Sequence, residues 1–92
     1  MSKVHKTPKQ LERHFKGIAN HKRIQILQLL SKQEGVSLGA IVRAVESSVM
    51  ATSEHTRKLV QAGLVEKKYK GRTVAHYLTP YGRRISNFIS AF

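Results

Sequence analysis

The stretch Ser48 to Val65, SVMATSEHTRKLVQAGLV, constrains this chain more than any other. Ser48 is a favourable helix N-cap, because its hydroxyl accepts from a backbone N–H that would otherwise lack a partner in the first turn. Gly63 stands where the helix would end in a left-handed residue, a conformation glycine adopts without steric cost. Between them Thr52, Thr56, Leu59 and Val60 recur at helical spacing and make a narrow, weakly apolar inner stripe. The opposite face carries Val49, Met50, Ser53, Glu54, Arg57 and Lys58, which are small, polar or cationic groups without bulky obstruction. Directly after Gly63 comes an alternating, basic strand pair. A helix of this kind running straight into a basic hairpin is a specific combination.

The rest of the chain supplies a frame for that unit. Met1 to Lys6 reads as a flexible basic arm. Thr7-Pro8 is a helix start, with Thr as cap and Pro at the first helical position, where its missing N–H costs nothing. Leu11, Phe15 and Ile18 then recur at i, i+4 and i+7 and give the first helix one apolar face. Asn20 caps a second helix whose Ile24, Ile26, Leu27, Leu29 and Leu30 are apolar over more than half its circumference, so it must be central. Gly35 is expected to close it and Val36 to form a short strand. Ser37 caps a third helix with Leu38, Ile41, Val42 and Val45 inward, and Glu46-Ser47-Ser48 turns into the fourth.

LVEKKYKGRTVAHYLT reads as two strands around Lys70-Gly71, glycine supplying the positive φ of a tight hairpin. Val74, His76 and Leu78 share one face of the second strand, with Thr73, Ala75 and Tyr77 on the other. Thr79-Pro80 repeats the helix-start device, and Tyr81, Ile85, Phe88, Ile89 and Phe92 form the last stripe. The expected fold is mainly α with a small β-wing: helix, helix, helix, helix, hairpin, helix. This is a winged helix–turn–helix, read as a single domain over residues 1–92.

Charge points to the partner. Lys and Arg number 17 against five acidic residues, all Glu, for a net charge of +12. Seven of the cations fall between Met1 and Arg23 and eight between Glu54 and Arg84, while Ile24 to Ser53 is neutral. A neutral middle with basic flanks is a scaffold holding a cationic surface, and such a surface suits a polyanion. No stretch approaches the apolar length of a membrane span, and no signal peptide is evident, so an intracellular, cytoplasmic location is expected. With no Cys there is no disulfide, no thiolate metal site and no redox switch.

A helix with an unobstructed polar face can lie in a DNA major groove with its N-terminal turns near base edges. On that reading Ser48 anchors the helix start, Val49 and Met50 touch thymine methyls, and Ser53 lies on the same face. Arg57 and Lys58 meet a phosphate or a guanine edge. Glu54 either accepts from a cytosine N4 amino group or repels phosphate. Lys67, Lys68, Lys70 and Arg72 hold the wing on the DNA backbone or in the minor groove.

The segment IANHKRIQILQLL resembles the second-helix region of the ArsR-type winged-helix repressors. The likeness continues through Ile41, Ala44, Val45, Ser48, Ser53, His55, Leu59 and the run Ala62-Gly63-Leu64-Val65. Gly71-Arg72, Val74, His76 and Leu78-Thr79 fall where that family's wing carries its glycine, basic and apolar positions. MarR-like groups share the Ala-Gly-Leu-Val pattern and the pattern seen here as Leu78-Thr79-Pro80-Tyr81-Gly82-Arg83. Ser47, Thr52 and Thr56 depart from it, standing where the family usually has aliphatic residues. The resemblance implies a DNA-binding transcriptional regulator, a repressor that dimerises through its outer helices.

Many ArsR-like proteins sense soft metals through Cys pairs in the third helix, and here that segment is SLGAIVRAV. None of His5, His14, His21, His55 and His76 forms an HxxxH or HxH pair, so no metal and no cofactor is expected. Catalysis is not expected either: there is no Asp, no Cys and no phosphate loop, and Ser53 and His55 do not face each other on a helix. The stripes Leu11/Phe15/Ile18 and Tyr81/Ile85/Phe88/Ile89/Phe92 exceed what one small core needs, which suggests a homodimer interface. Two other readings fit the same composition: a winged-helix module for protein assembly, and a sequence-neutral architectural DNA binder.

Overall fold

Five helices and one hairpin follow each other along the computed structural model of the chain, which describes residues 5–92. They are α1 (Pro8–Ile18), α2 (His21–Lys32), α3 (Leu38–Val45), α4 (Val49–Gln61), β1 (Val65–Lys70), β2 (Thr73–Leu78) and α5 (Pro80–Ser90). Of the expected N-terminal arm, residues 1–4 lie outside the described residues, and Lys6 sets its Nζ 3.9 Å from the centre of the Tyr81 ring.

Every helix starts on the capping side chain that its sequence offers. The oxygens of Thr7, Asn20, Ser37, Ser48 and Thr79 accept from backbone N–H groups two or three residues on. Gln10 reaches back to the Thr7 N–H at 2.8 Å and completes a capping box. Caps contribute about 1 kcal/mol each. One boundary differs from expectation: α2 ends at Lys32 on an extended Gln33, before Gly35. Gly35, at φ +78°, instead turns the chain into a bridge between Val36 and His76, where Tyr77 lies against it.

The core centres on α2, which packs against α1, α3, α4, α5 and β2. Ile26, Leu27 and Leu30 are sealed from solvent beside Ile41, Val45, Leu59, Leu64, Val65 and Leu78. β1 and β2 pair antiparallel from Val65↔Leu78 to Lys70↔Thr73, with Gly71 at φ +63° in the turn. Ala75 is buried along with His76 and Leu78, so the base of β2 is covered on both faces. His76 Nδ1 donates to the Val36 carbonyl at 2.8 Å, and burial holds its pKa below the ordinary imidazole value. Its neutral form is therefore the folded one, and its contribution to stability is lost as pH falls below the unfolded histidine pKa.

The terminal helices dock on the link between α4 and β1. His14 Nδ1 donates to the Ala62 carbonyl at 2.6 Å, Thr79 Oγ1 to the Gly63 carbonyl at 2.6 Å, and Thr79 N–H to the Leu64 carbonyl at 3.1 Å. Gly17 rests on the Ala62 methyl, and Gly82 rests on the Leu64 carbonyl so closely that a side chain there would overlap it. The inner face of α1 is therefore His14 and Gly17 with half-buried Ile18, while Leu11 and Phe15 face outward. The apolar stripe expected for α1 thus lies mostly outside the core, with Ile18 at its inner edge. In α5 the inner positions are Gly82 and Ser86, and Tyr81, Phe88 and Phe92 are exposed.

Two substitutions test this packing by urea denaturation. Gly82→Ala would raise stability by about 0.5–1 kcal/mol if helix propensity decided the outcome. The overlap with the Leu64 backbone decides it instead, so a loss of about 1–3 kcal/mol is expected. Thr52 is fully buried and its Oγ1 has no hydrogen-bond partner. Thr52→Val keeps the shape and removes the orphaned hydroxyl, so a gain of about 1 kcal/mol is expected.

Candidate nucleic-acid interface

α4 is divided as its sequence predicts. Thr52, Thr56 and Leu59 turn inward, with Val60 half-buried. Val49, Met50, Ser53, Glu54, Arg57 and Lys58 are all exposed, Met50 to 83%. Ser48 Oγ accepts from Ala51 N–H at 3.0 Å, which leaves the helix start capped and its first turn open to solvent. Gly63, at φ +77°, ends the helix and lets the chain reverse into β1.

Five of those outer residues, Val49, Met50, Ser53, Glu54 and Arg57, line one shallow hollow together with Lys67 of β1. The hollow thus joins the helix face to the base of the wing. Lys58 lies on the adjoining side of α4 and lines a different cleft. Farther out, Lys68 sits 4.7 Å from the Tyr77 ring and 3.9 Å from the Glu66 carboxylate. Lys70 and Arg72 flank the turn at Gly71, both exposed. Tyr69, between Lys68 and Lys70, is 77% exposed and by strand alternation shares the other face of the wing with Lys67. Sequence reasoning passed over it, although an aromatic within a run of cations, LVEKKYK, is the signal that marks it.

The single acid on the helix face is internally neutralised. Arg57 Nε donates to Glu54 Oε1 at 3.0 Å, and Arg57 Nη2 donates to Glu54 Oε2. That bond holds the Glu54 carboxyl below the usual carboxylate range and raises the Arg57 pKa. An exposed pair of this kind is screened by solvent and adds little to stability, so a competing group can displace the carboxylate. His55 behaves differently. Burial, then Arg23 and Lys58, push its pKa down, and its Nδ1 lies 3.5 Å from Arg23 Nη1.

The two apolar stripes come together between α1 and α5. His14 stacks on Tyr81 at 5.3 Å, tying α1 to α5, and Leu11, Phe15, Tyr81 and Ile85 line a shared groove. Phe88 and Phe92 extend that surface as an edge-to-face pair at 5.1 Å. Ile18, Ile85 and Ile89 are partly buried against the core, whereas Leu11, Phe15, Tyr81, Phe88 and Phe92 are exposed. Among the described residues no three His or Glu side chains gather where a metal ion could be held. No helix of the described residues is long and apolar enough to cross a membrane.

Known proteins share this arrangement. HlyU from Vibrio cholerae N16961 superposes with a TM-score of 0.84 at 27% identity, over 96% of each chain. The winged helix–turn–helix domain of Mb0332 from Mycobacterium bovis, described as homodimeric, DNA-binding and possibly of the ArsR family, superposes at 0.82. It is 24% identical and covers 97% of this chain and 88% of its own. A transcriptional regulator HlyU from Vibrio vulnificus CMCP6 gives 0.77 at 27% identity, covering 90% of this chain and 86% of its own. No curated protein matches the sequence. The sequence profile of the bacterial regulatory proteins of the arsR family matches residues 20–67, more than half of the chain. That span runs from the Asn20 cap through the exposed face of α4 to Lys67, and the chain accordingly belongs to the arsR family of winged-helix, DNA-binding transcriptional regulators.

Proposed function

We propose that the chain is one winged-helix domain that binds duplex DNA sequence-specifically as a homodimer and represses transcription in the cytoplasm. The observation that carries this reading is the open outer face of α4, continuous with Lys67 at the base of a cationic wing. A helix presenting Val49, Met50, Ser53 and Arg57 fits the major groove, where base edges are distinguishable. The wing, with Lys68, Lys70 and Arg72, reaches the flanking backbone or the minor groove. Ser48 holds the helix start, and Lys58 meets phosphate at the helix edge. No catalytic role, metal or cofactor is assigned to any residue.

The second copy is assigned to the α1–α5 face. Leu11, Phe15, Tyr81 and Phe88 are exposed side by side, and Phe92 is 96% exposed. An apolar surface of this kind calls for a partner. A self-complementary face makes a two-fold dimer and sets two recognition helices at a fixed spacing on DNA. The homodimeric domain from Mycobacterium bovis supports the same assembly. Sedimentation should show a dimer well below ~100 μM, the range in which specific interfaces normally hold. Phe88→Asp should give a monomer with weaker DNA binding, and a wild-type monomer at that concentration would sink the assignment.

Arg57 and Arg72 should do different work on DNA. Arg57→Ala is expected to cost ~1–3 kcal/mol on a selected cognate duplex and much less on random duplex. Arg72→Ala should weaken both duplexes almost equally and lower the salt slope by about one. Anisotropy titrations on both duplexes at several salt concentrations measure the difference. If the two variants behave alike, α4 is only another phosphate-binding surface, and the protein is an architectural binder.

A further inference from the structure

A second cationic cleft lies beside the recognition face, between α1, the start of α2 and the last turns of α4. Arg13, Lys16, Arg23 and Lys58 line it with Gln61, enclosing about 380 Å³. No carboxylate lines it; Glu12, 3.4 Å from Lys16, is an exposed neighbour on the same helix. Four cations from three helices thus line one cleft with no lining carboxylate to offset them, an arrangement that favours an anionic ligand. Arg23 shows the imbalance most plainly. Its Nε is buried without a hydrogen-bond partner, and Nη1 has the His55 ring, not a carboxylate, at 3.5 Å. The ring accepts there as neutral imidazole, its proton disfavoured by burial and by Arg23 and Lys58.

We propose that this cleft is a site for consecutive phosphate groups, bound by Arg13, Lys16 and Arg23 together with Lys58, which it shares with the outer edge of α4. Cations spread over three helices match an extended polyanion, and guanidinium forks bind phosphate oxygens in pairs. Two sources carry that chemistry. One is the DNA backbone. A helix about 10–12 Å across fills a major groove about 12 Å wide, so a phosphate strand passes on each flank. Lys67 guards one side of the Arg57 face, and Lys58, about 100° round the helix from Arg57, guards the other. The other source is a free oligophosphate, for which the cleft would be a regulatory site. The DNA form rests on the functional reading above; the oligophosphate form does not.

The test compares two double variants with equal loss of charge, all at exposed positions: Arg13→Gln/Lys16→Gln in the cleft and Lys9→Gln/Lys32→Gln outside it. Each is titrated with sodium triphosphate by calorimetry, and with the selected duplex carrying long flanks at several salt concentrations. If a free oligophosphate is the ligand, the cleft variant binds triphosphate about tenfold more weakly than the control variant, with equal duplex affinity. If the DNA backbone is the ligand, the cleft variant loses duplex affinity and its salt slope falls by about two relative to the control. Cleft and control variants that are indistinguishable in both titrations overturn the proposal. Should the wild-type chain bind no duplex at all, the functional reading fails, and the triphosphate titration alone decides the cleft.

Discussion

Three consecutive carbonyls at the end of the recognition helix hold this molecule together. Ala62, Gly63 and Leu64 leave α4 as the chain turns into β1, and their carbonyls must find donors because water does not reach them freely. α1 supplies one donor through His14, and the Thr79 cap of α5 supplies two, one from its side chain and one from its backbone. Both terminal helices must come close to reach them. That closeness explains why Gly17 and Gly82, and not larger residues, stand at the contact. The interaction ties α1 and α5 to the point where α4 runs into the wing, through hydrogen bonds to three backbone carbonyls.

The same docking decides what the terminal helices show to solvent. A helix that buries glycine, histidine and serine must turn its large apolar residues elsewhere. Leu11, Phe15, Tyr81 and Phe88 are exposed for that reason, and on the proposed assembly a second copy would cover them. The junction that positions α4 thereby also exposes this apolar surface. On the proposed dimer, its geometry and that of the recognition helix would depend on one junction.

Electrostatics follow the same logic of folding distant segments together. Cations concentrate at the two ends of the sequence around a neutral middle, and that middle becomes α3 and the buried length of α2. Folding around this core places Arg13, Lys16 and Arg23 from one basic end beside Lys58 from the other. Lys67 joins the opposite flank of α4. Glu54 is the exception, and its bond to Arg57 offsets its charge on the otherwise cationic and neutral outer face of α4. The proposed base contact of Arg57 would require only the breaking of this exposed pair.

Local chemistry was legible in the sequence. Caps at Thr7, Asn20, Ser37, Ser48 and Thr79, and positive-φ glycines at Gly63 and Gly71, act within one turn of chain, so they mark boundaries without knowledge of the fold. The inward stripe of α4 and the burial of α2 were legible because periodicity and composition speak directly to which side meets the core. Burial of α1 and α5 was not. Their apolar spacing is as regular as that of a core helix, but close approach to a backbone carbonyl favours glycine over leucine, and nothing local announces where that carbonyl lies. For the same reason Gly35 was misplaced as a helix stop: its left-handed turn serves the Val36–His76 bridge, a partnership across 40 residues. The family, the helix face and the wing were thus determined by residues near each other in the chain. Which stripes turn outward, and which cations share a cleft, were decided only by tertiary packing, because both depend on segments that the sequence holds far apart.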